Sequence, residues 1–176
     1  MNKRLKSIIK IAVMTALICA ISPISVPFGV VPISLSTLII MISSFIIGSL
    51  EAIISVLFYI LIGLIGLPVF SSFQSGLSVL LGPTGGYIIG YVFIPLSLMI
   101  IKDKRNRFLC AIGIVLGNTL LYTIGTIWLM VYLKESFINS LMIGAVPFLI
   151  TDLIKVIIVI IIGPELYKIF NTKRKC

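Results

Sequence analysis

Long segments without any charged residue are the feature that most restricts the fold of this chain. No Asp, Glu, Lys or Arg occurs between Ala52 and Ile101 or between Phe108 and Leu133. Only 11% of the 176 residues are charged, whereas about a quarter of the residues in a soluble domain carry a charge. Because about 20 apolar residues span a bilayer, a chain of this length has room for about six spans joined by short loops. The composition excludes a water-soluble fold and predicts a single membrane domain over residues 1–176.

Apolar segments separated by Pro, Gly and charged residues predict an all-α integral membrane protein with six transmembrane helices. The predicted bounds are Leu5–Ser22, Leu35–Ile47, Ala52–Ile65, Gly85–Ile101, Phe108–Leu133 and Pro147–Phe170. The Pro-rich segment 23–32 cannot form regular helix. Segment 66–83 mixes polar and apolar residues and is predicted to be a long outer loop, of the kind that usually carries function.

The basic residues fall into three clusters that predict the orientation of the chain. The clusters are Lys3, Arg4, Lys6 and Lys10; Lys102, Lys104, Arg105 and Arg107; and Lys168, Lys173, Arg174 and Lys175. Basic segments flank membrane spans on the cytoplasmic side, and six spans place all three clusters and both termini there. Topology thus explains the net charge of +9 without a nucleic-acid partner. An alternative is that the first segment is a cleaved signal peptide, which would leave five spans.

The residue types that support most enzyme and metal chemistry are missing. Histidine is absent, which excludes histidine-dependent triads and HExxH zinc sites. Cys19, Cys110 and Cys176 have no spacing typical of a disulfide framework, and no GxxxxGK[ST] pattern for ATP binding occurs. The sequence predicts no catalytic residue, no metal site and no enzymatic activity.

Small residues recur four positions apart in three of the predicted spans, where they let another helix approach closely. They are Ala12, Ala16 and Ala20 in the first span, Gly82, Gly86 and Gly90 leading into the fourth, and Gly113 and Gly117 in the fifth. The glycines are predicted to pack inside the bundle. The alanines suit two interpretations equally, an internal seam or a surface that binds another membrane subunit.

Asp152 and Lys155 give the strongest chemical signal, since both lie inside the apolar sixth span. A charge near the bilayer centre costs about 2.5–3.5 kcal/mol on insertion scales, so such residues face a bundle interior or a wet cavity. Their spacing puts both on one helix face, in the outer half of a helix that starts near Pro147. They form either an ion pair that only locks the bundle or the charged part of an outward-facing pocket. The pocket is favoured, because apolar residues can replace a purely structural pair at little cost.

Two segments on the outer side are candidates to line such a pocket. Gly82–Tyr87 is a Gly-rich turn before a helix, which can bring backbone N–H groups close to a ligand. Within it, Thr84 suits a helix cap as well as a ligand contact, and Tyr87 suits an interfacial anchor as well as a pocket wall. In the preceding loop, Phe70, Phe73 and Gln74 are either apolar plugs or parts of a lid.

Several of these segments together resemble the BioY family, the biotin-specific substrate-binding (S) subunits of energy-coupling factor (ECF) transporters. The resemblance covers nearly the whole chain. It rests on Val31–Leu35, Gly66–Phe70, Gly82–Tyr87, Gly125–Leu129 and Pro147–Leu149, the last followed by Asp152 and Lys155. Each motif alone is weak, but their order over six predicted spans is specific.

The resemblance implies a six-helix S-component bundle in the plasma membrane of a bacterium. It would capture biotin outside the cell and deliver it in a complex with the transmembrane coupling protein EcfT and two ATP-hydrolysing EcfA-type subunits. No cofactor is implied, since biotin is the transported ligand. Two alternatives share parts of this architecture, an S subunit for another vitamin and an ion-coupled secondary transporter of a small carboxylate.

The resemblance also implies roles for individual residues. Asp152 would accept from ureido N–H groups of biotin, Lys155 would meet an oxygen of its carboxylate or ureido carbonyl, and Tyr87 would border its ring. The residues implied to contact biotin are Asp152, Lys155, Tyr87, Thr84, Phe70 and Gln74. Those implied to contact the coupling protein are Ala12, Ala16 and Ala20.

Overall fold

The computed structural model describes residues 2–27, 29–101 and 103–172. Several residues of the basic clusters, and the last cysteine, lie outside the described residues. They are Lys102, Lys173, Arg174, Lys175 and Cys176, and the side chain of Lys3 is also not described.

Helices make up most of the described chain. They are α1 (Lys3–Ile21), α2 (Ser36–Ile46), α3 (Ser49–Leu64), α4 (Leu77–Leu80), α5 (Gly85–Gly90), α6 (Phe93–Ile100), α7 (Arg107–Leu133), α8 (Phe137–Gly144) and α9 (Val146–Thr172). The Pro-rich segment between α1 and α2 forms a small antiparallel hairpin of β1 (Ser25–Val26) and β2 (Ile33–Ser34), in which Ser25 pairs with Ser34. A 3-10 turn (Ser71–Phe73) lies between α3 and α4.

The long helices agree with the predicted spans, with two differences. The predicted fourth span is interrupted between α5 and α6, just before Pro95, which lacks an N–H and whose ring crowds the carbonyl four residues earlier. The short helix α8 was not predicted. By length and composition, Arg107–Leu133 and Val146–Phe170 can each cross a membrane, and shorter apolar helices cover Ser36–Ile46, Ser49–Leu64 and Gly85–Ile100.

The outer surface of the bundle is rich in large apolar side chains, which matches an environment of lipid rather than water. On α9, for example, Ile150 is 73% exposed and Leu153 is 62% exposed. Soluble monomers rarely expose large contiguous apolar surfaces. The core lies between the helices and contains fully buried residues such as Phe45, Tyr59 and Ile114.

The predicted glycine seams pack α5 and α6 closely against α7. A Cβ atom on Gly90 would lie 3.2 Å from the Cα of Leu121, and one on Gly117 would lie 2.9 Å from the Cα of Ile94. A Cβ on Gly86 would collide with Trp128. The prediction of internal packing is confirmed for these glycines, because any side chain there would push the helices apart.

Polar contacts bring the segments that carry basic residues to the same end of the bundle. Arg107 lies at the start of α7, and its Nη2 is 3.6 Å from Oε1 of Glu165 in the last part of α9. Between the middle parts of α1 and α3, the Ser55 hydroxyl donates to the carbonyl of Ile11. The opposite end, where the Ser72 N–H donates to the carbonyl of Pro23, holds the hairpin and the segment 66–84.

Lys104, predicted as part of a basic cytoplasmic cluster, is buried between two connections at the basic end. Its side chain bridges the end of α2 and the start of α3. Nζ donates to the carbonyl of Ser44 at 3.1 Å and to Oγ of Ser49 at 2.5 Å. Burial lowers the pKa of Lys104 to about 8, and the nearby Cys110 and Glu51 oppose this shift only in part.

This burial predicts a pH-dependent stability. Because the pKa of Lys104 is about 8 in the folded protein against an ordinary 10.5, the unfolded chain binds more protons between these two pH values. The folded state therefore gains stability as pH rises through this window, by up to about 3 kcal/mol. We expect the thermal unfolding midpoint in detergent to rise from pH 8 to 10.5 relative to that of Lys104→Met. Lys168→Met, at an exposed lysine, is the control and keeps the wild-type profile. Parallel profiles for wild type and Lys104→Met would contradict the prediction.

Candidate ligand-binding site

Asp152 and Lys155 lie one turn apart in the outer half of α9 and form a buried ion pair. Lys155 Nζ is 2.6 Å from Asp152 Oδ1, and the side chains of both residues are less than a tenth exposed. The sequence predicts both their shared face and their position inside the bundle. A charge-assisted hydrogen bond of this length is among the stronger polar contacts in proteins.

Lys155 also connects α9 to the beginning of α2. Its Nζ donates to the carbonyl of Ser34 at 2.7 Å and to the hydroxyl of Thr37 at 3.0 Å. Together with Asp152, these acceptors engage all three N–H donors of the ammonium group. Ser34 and Thr37 were not predicted as partners, although Ser34 belongs to one of the motifs that carry the family resemblance.

Asp152 has a second partner that sequence analysis missed. The hydroxyl of Tyr122, on α7, donates to Asp152 Oδ2 at 2.5 Å. The two carboxylate oxygens are therefore held from two sides, one by Lys155 and the other by Tyr122. Each oxygen keeps a further lone pair for another donor. The available sequence signal was a polar ring within an apolar span, where such groups usually face the bundle interior.

Three neighbouring cavities lead to this pair from the end of the bundle opposite the basic end. An inner cavity of about 40 Å³ is lined by Asp152 and Lys155 together with Thr37, Tyr87, Tyr91 and Tyr122. A middle cavity of about 30 Å³ is lined by Phe70, Gln74, Thr84, Tyr87, Ile88 and Tyr91. An outer vestibule of about 550 Å³ is lined by polar residues that include Ser72, Gln74, Ser75, Ser78 and Thr84.

The cavities share walls, so the predicted site residues lie along one path. Val31, Pro32, Tyr87 and Tyr91 line both the inner and the middle cavity. Gln74 and Thr84 line both the middle cavity and the vestibule. The structure therefore brings Asp152, Lys155 and Tyr87 together at one end of the path. It places Phe70, Thr84 and Gln74 in the wall of the middle cavity.

Tyr87 is a buried wall of this path rather than an interfacial anchor. It is 5% exposed, and its ring fills a slot that exists because Gly125 and Gly144 have no side chains. A Cβ atom at either glycine would collide with the Tyr87 side chain. Thr84 precedes α5 without capping it through its side chain, so the capping interpretation of Thr84 is wrong.

The three loop residues on the outer side have different environments. Phe70 is 1% exposed and packs edge-to-face on Tyr59 with ring centroids 5.6 Å apart, which makes it an apolar plug. Phe73 is 69% exposed and lines none of the three cavities. The N–H of Phe70 donates to the carbonyl of Gln74, which closes the turn between them.

The alanine stripe lies on the surface, so an internal seam is excluded. Ala12, Ala16 and Ala20 are exposed. They line an apolar groove between α1 and α3 whose other walls include Phe58 and Ile62. Among the described residues, no group of three or more His, Cys, Asp or Glu is arranged to hold a metal ion.

Comparisons with known proteins give a consistent result. Residues 1–172 match the sequence profile of the BioY family. The chain is 32% identical to the biotin transporter BioY2 of Lactococcus lactis subsp. cremoris, over 99% of this chain and 97% of that protein. It is also 32% identical to the biotin transporter BioY of Thermotoga maritima, over 94% of this chain and 98% of that protein.

A solved structure extends the likeness to three dimensions. The crystal structure of the S-component for biotin from an ECF-type ABC transporter matches with a TM-score of 0.82 and 31% identity, covering 96% of this chain and 95% of that one. The fold is therefore that of an ECF S-component, a helical membrane bundle.

The buried ion pair predicts a strongly coupled effect on stability. Removing one partner leaves a charge buried without compensation, which costs about 3–5 kcal/mol, whereas replacing both partners by apolar residues is often close to neutral. We expect Asp152→Leu and Lys155→Met each to lower the unfolding midpoint in detergent more than the double variant does. Glu165→Gln, in an exposed ion pair, is the control and has little effect. A double variant as unstable as the sum of the single ones would show that the two charges do not interact.

Proposed function

Because the chain belongs to the BioY family, we propose that it is the substrate-specific subunit of an ATP-driven vitamin transporter. In this role it captures biotin outside the cell with high affinity and delivers it across the membrane. The proposal makes the protein a binding and transport subunit, not an enzyme. The observation that carries it is the buried Asp152–Lys155 pair at the inner end of the three cavities.

The charge of the pair favours one orientation of biotin, with its ureido ring innermost. Asp152 and Lys155 together are formally neutral, so a ligand carboxylate placed beside them would add an uncompensated negative charge. At about 4 Å from Asp152, the ligand carboxylate would be repelled by about 4 kcal/mol for an effective dielectric constant of 20, and attraction to Lys155 at a similar distance would only offset this repulsion. The ureido ring is neutral and has both N–H donors and a carbonyl. Asp152 can accept from the N–H groups, and Lys155 can exchange one of its present acceptors for the carbonyl.

The remaining parts of biotin then suit the walls that follow. Its thioether ring would lie against Tyr87 and Tyr91, since sulfur packs favourably at aromatic rings. The carboxylate at the end of the apolar tail would reach the vestibule, where Gln74, Ser75 and Thr84 offer neutral hydrogen-bond donors and solvent is near. This orientation keeps the ligand's negative charge far from Asp152.

Binding must widen the inner part of the path. The inner and middle cavities hold about one water molecule each, whereas pockets for small molecules usually have about 300–1,000 Å³. Their shared wall includes Val31 and Pro32, in the hairpin segment. We propose that movement of this segment joins the two cavities when the ligand enters.

In the proposed membrane arrangement, α1, α2, α3, α5 with α6, α7 and α9 cross the bilayer. The basic end of the bundle would face the cytoplasm, in accordance with the positive-inside rule. Both termini would then be cytoplasmic, and the vestibule would open outside the cell. The contact between Arg107 and Glu165, together with the Lys104 contacts at the connection between α2 and α3, supports one common basic end.

The groove lined by Ala12, Ala16 and Ala20 is the proposed surface for the coupling protein EcfT. Small residues let a partner helix approach the backbone of α1, and in lipid such close packing is the main source of helix association. Two EcfA-type subunits would supply ATP hydrolysis, since the present chain has no GxxxxGK[ST] pattern.

Biotin binding is the direct test of the proposed function. We expect isothermal titration of the purified, ligand-free protein to show stoichiometric binding of biotin. Asp152→Asn and Lys155→Ala should each weaken it by about 100-fold or more, because each loses hydrogen bonds that involve a buried charge. Lys168→Ala, at an exposed lysine on the same helix, is the control and should leave the affinity unchanged.

Binding and uptake measurements together separate the alternatives. Absence of heat, and of displacement of labelled biotin in folded protein, would overturn the assignment. Saturable binding of a different vitamin in its place would indicate an S subunit with another specificity. Uptake into vesicles that contain the purified chain and an ion gradient but no ATPase would favour a secondary transporter.

The alanine groove is tested by enlarging one side chain. We expect Ala16→Leu to leave biotin affinity unchanged, because the groove lies apart from the three cavities, and to abolish co-purification with the coupling protein. Val13→Leu enlarges an exposed residue of α1 outside the groove and should assemble normally. Co-purification of Ala16→Leu at the wild-type level would exclude this surface as the contact.

A further inference from the structure

We propose that Tyr122 is a positioning residue that holds the Asp152 carboxylate in the orientation in which it binds the ligand. This inference rests on the proposed function and assigns a residue that lies on a different helix. The Tyr122 hydroxyl donates to Asp152 Oδ2 at 2.5 Å, while Lys155 holds Oδ1 at 2.6 Å. The ring of Tyr122 lines the inner cavity beside both charges.

The carboxylate needs a second anchor because its first partner is on the same helix. The terminal torsion of an Asp side chain has a broad, two-fold energy profile. With Lys155 alone, the carboxylate is free to turn and offer either or both oxygens to the ammonium group. Tyr122 approaches from α7 and draws Oδ2 away from Lys155. The result is a fixed carboxylate plane with one free lone pair on each oxygen.

The state of Lys155 makes this orientation important for ligand selection. Its three donors are engaged by Asp152, the Ser34 carbonyl and Thr37. A ligand acceptor must displace one of them, whereas a ligand N–H can bind to Asp152 without displacing any protein group. The structure therefore assigns the first recognition step to ligand N–H donors, and a neutral cyclic urea offers two of them side by side. Tyr122 keeps their acceptor in place before the ligand arrives, which lowers the cost of ordering on binding.

The test compares Tyr122→Phe with wild type for two ligands. One is biotin, and the other is a biotin analogue methylated on both ureido nitrogens, with both affinities measured by competition against labelled biotin. We expect Tyr122→Phe to weaken biotin binding by about tenfold or more and to change the affinity for the methylated analogue by less than about twofold, because that analogue has no N–H for Asp152 to accept. Tyr167→Phe, on α9 and away from the three cavities, should bind both ligands as the wild type does.

A second measurement distinguishes a positioning role of Tyr122 from a general loss of structure in the variant. The combined variant Tyr122→Phe/Asp152→Asn should bind biotin no more weakly than Asp152→Asn alone, since Tyr122 acts through the carboxylate. Equal losses for both ligands, additive losses in the combined variant, or unchanged biotin affinity in Tyr122→Phe would each overturn the proposal. Wild-type protein that does not bind biotin would overturn the proposed function and this inference together, and that outcome is seen before any variant is made.

Discussion

The ion pair between Asp152 and Lys155 is the interaction on which the arrangement of the outer half of the bundle depends. Lipid offers no hydrophobic drive for helix association, so polar contacts inside the bundle have a large influence on which helices meet. Lys155 draws the start of α2 to α9 through the Ser34 carbonyl and Thr37, and Asp152 draws α7 to the same place through Tyr122. Three helices that are distant in sequence thus converge on one pair of charges. The region where they converge is also the innermost part of the proposed ligand path.

The protein buries a second lysine at its basic end, and this lysine has a different set of partners. Lys104 donates to two neutral acceptors, the Ser44 carbonyl and the Ser49 hydroxyl. Burial is then the dominant influence, and the pKa of Lys104 falls to about 8. Lys155, by contrast, has a carboxylate within 2.6 Å. One lysine therefore joins two connections by hydrogen bonds that a neutral amine can also make, while the other belongs to a charged pair suited to a polar ligand.

Much of this organisation follows from the sequence, and what does not follow depends on contacts between distant segments. Apolar segments bounded by Pro, Gly and charged residues predict the long helices, and the spacing of Asp152 and Lys155 predicts that they share a helix face. The interruption before Pro95 and the short helix α8 were missed, because a local break and an eight-residue apolar helix hardly alter the hydropathy pattern. The partnership of Tyr122 with Asp152 spans 30 residues, and nothing in local periodicity pairs them. The burial of Lys104 was not predicted for the same reason, since its acceptors come from α2 and α3.

The two sides of the proposed ligand path are held differently, and we expect this difference to decide which side yields to a ligand. Tyr87 is fixed by close packing in a slot formed at Gly125 and Gly144, and displacing a packed ring would leave a void that costs free energy. On the hairpin side, Val31 also packs in the core, but the segment is joined to α9 by a hydrogen bond, from Lys155 to the Ser34 carbonyl. A ligand oxygen that replaces the Ser34 carbonyl gives Lys155 a new acceptor in exchange, and the freed carbonyl keeps a partner if movement of the hairpin exposes it to water. We therefore expect the space for the ligand to come from the hairpin side, where Lys155 would link occupancy of the site to the position of the hairpin.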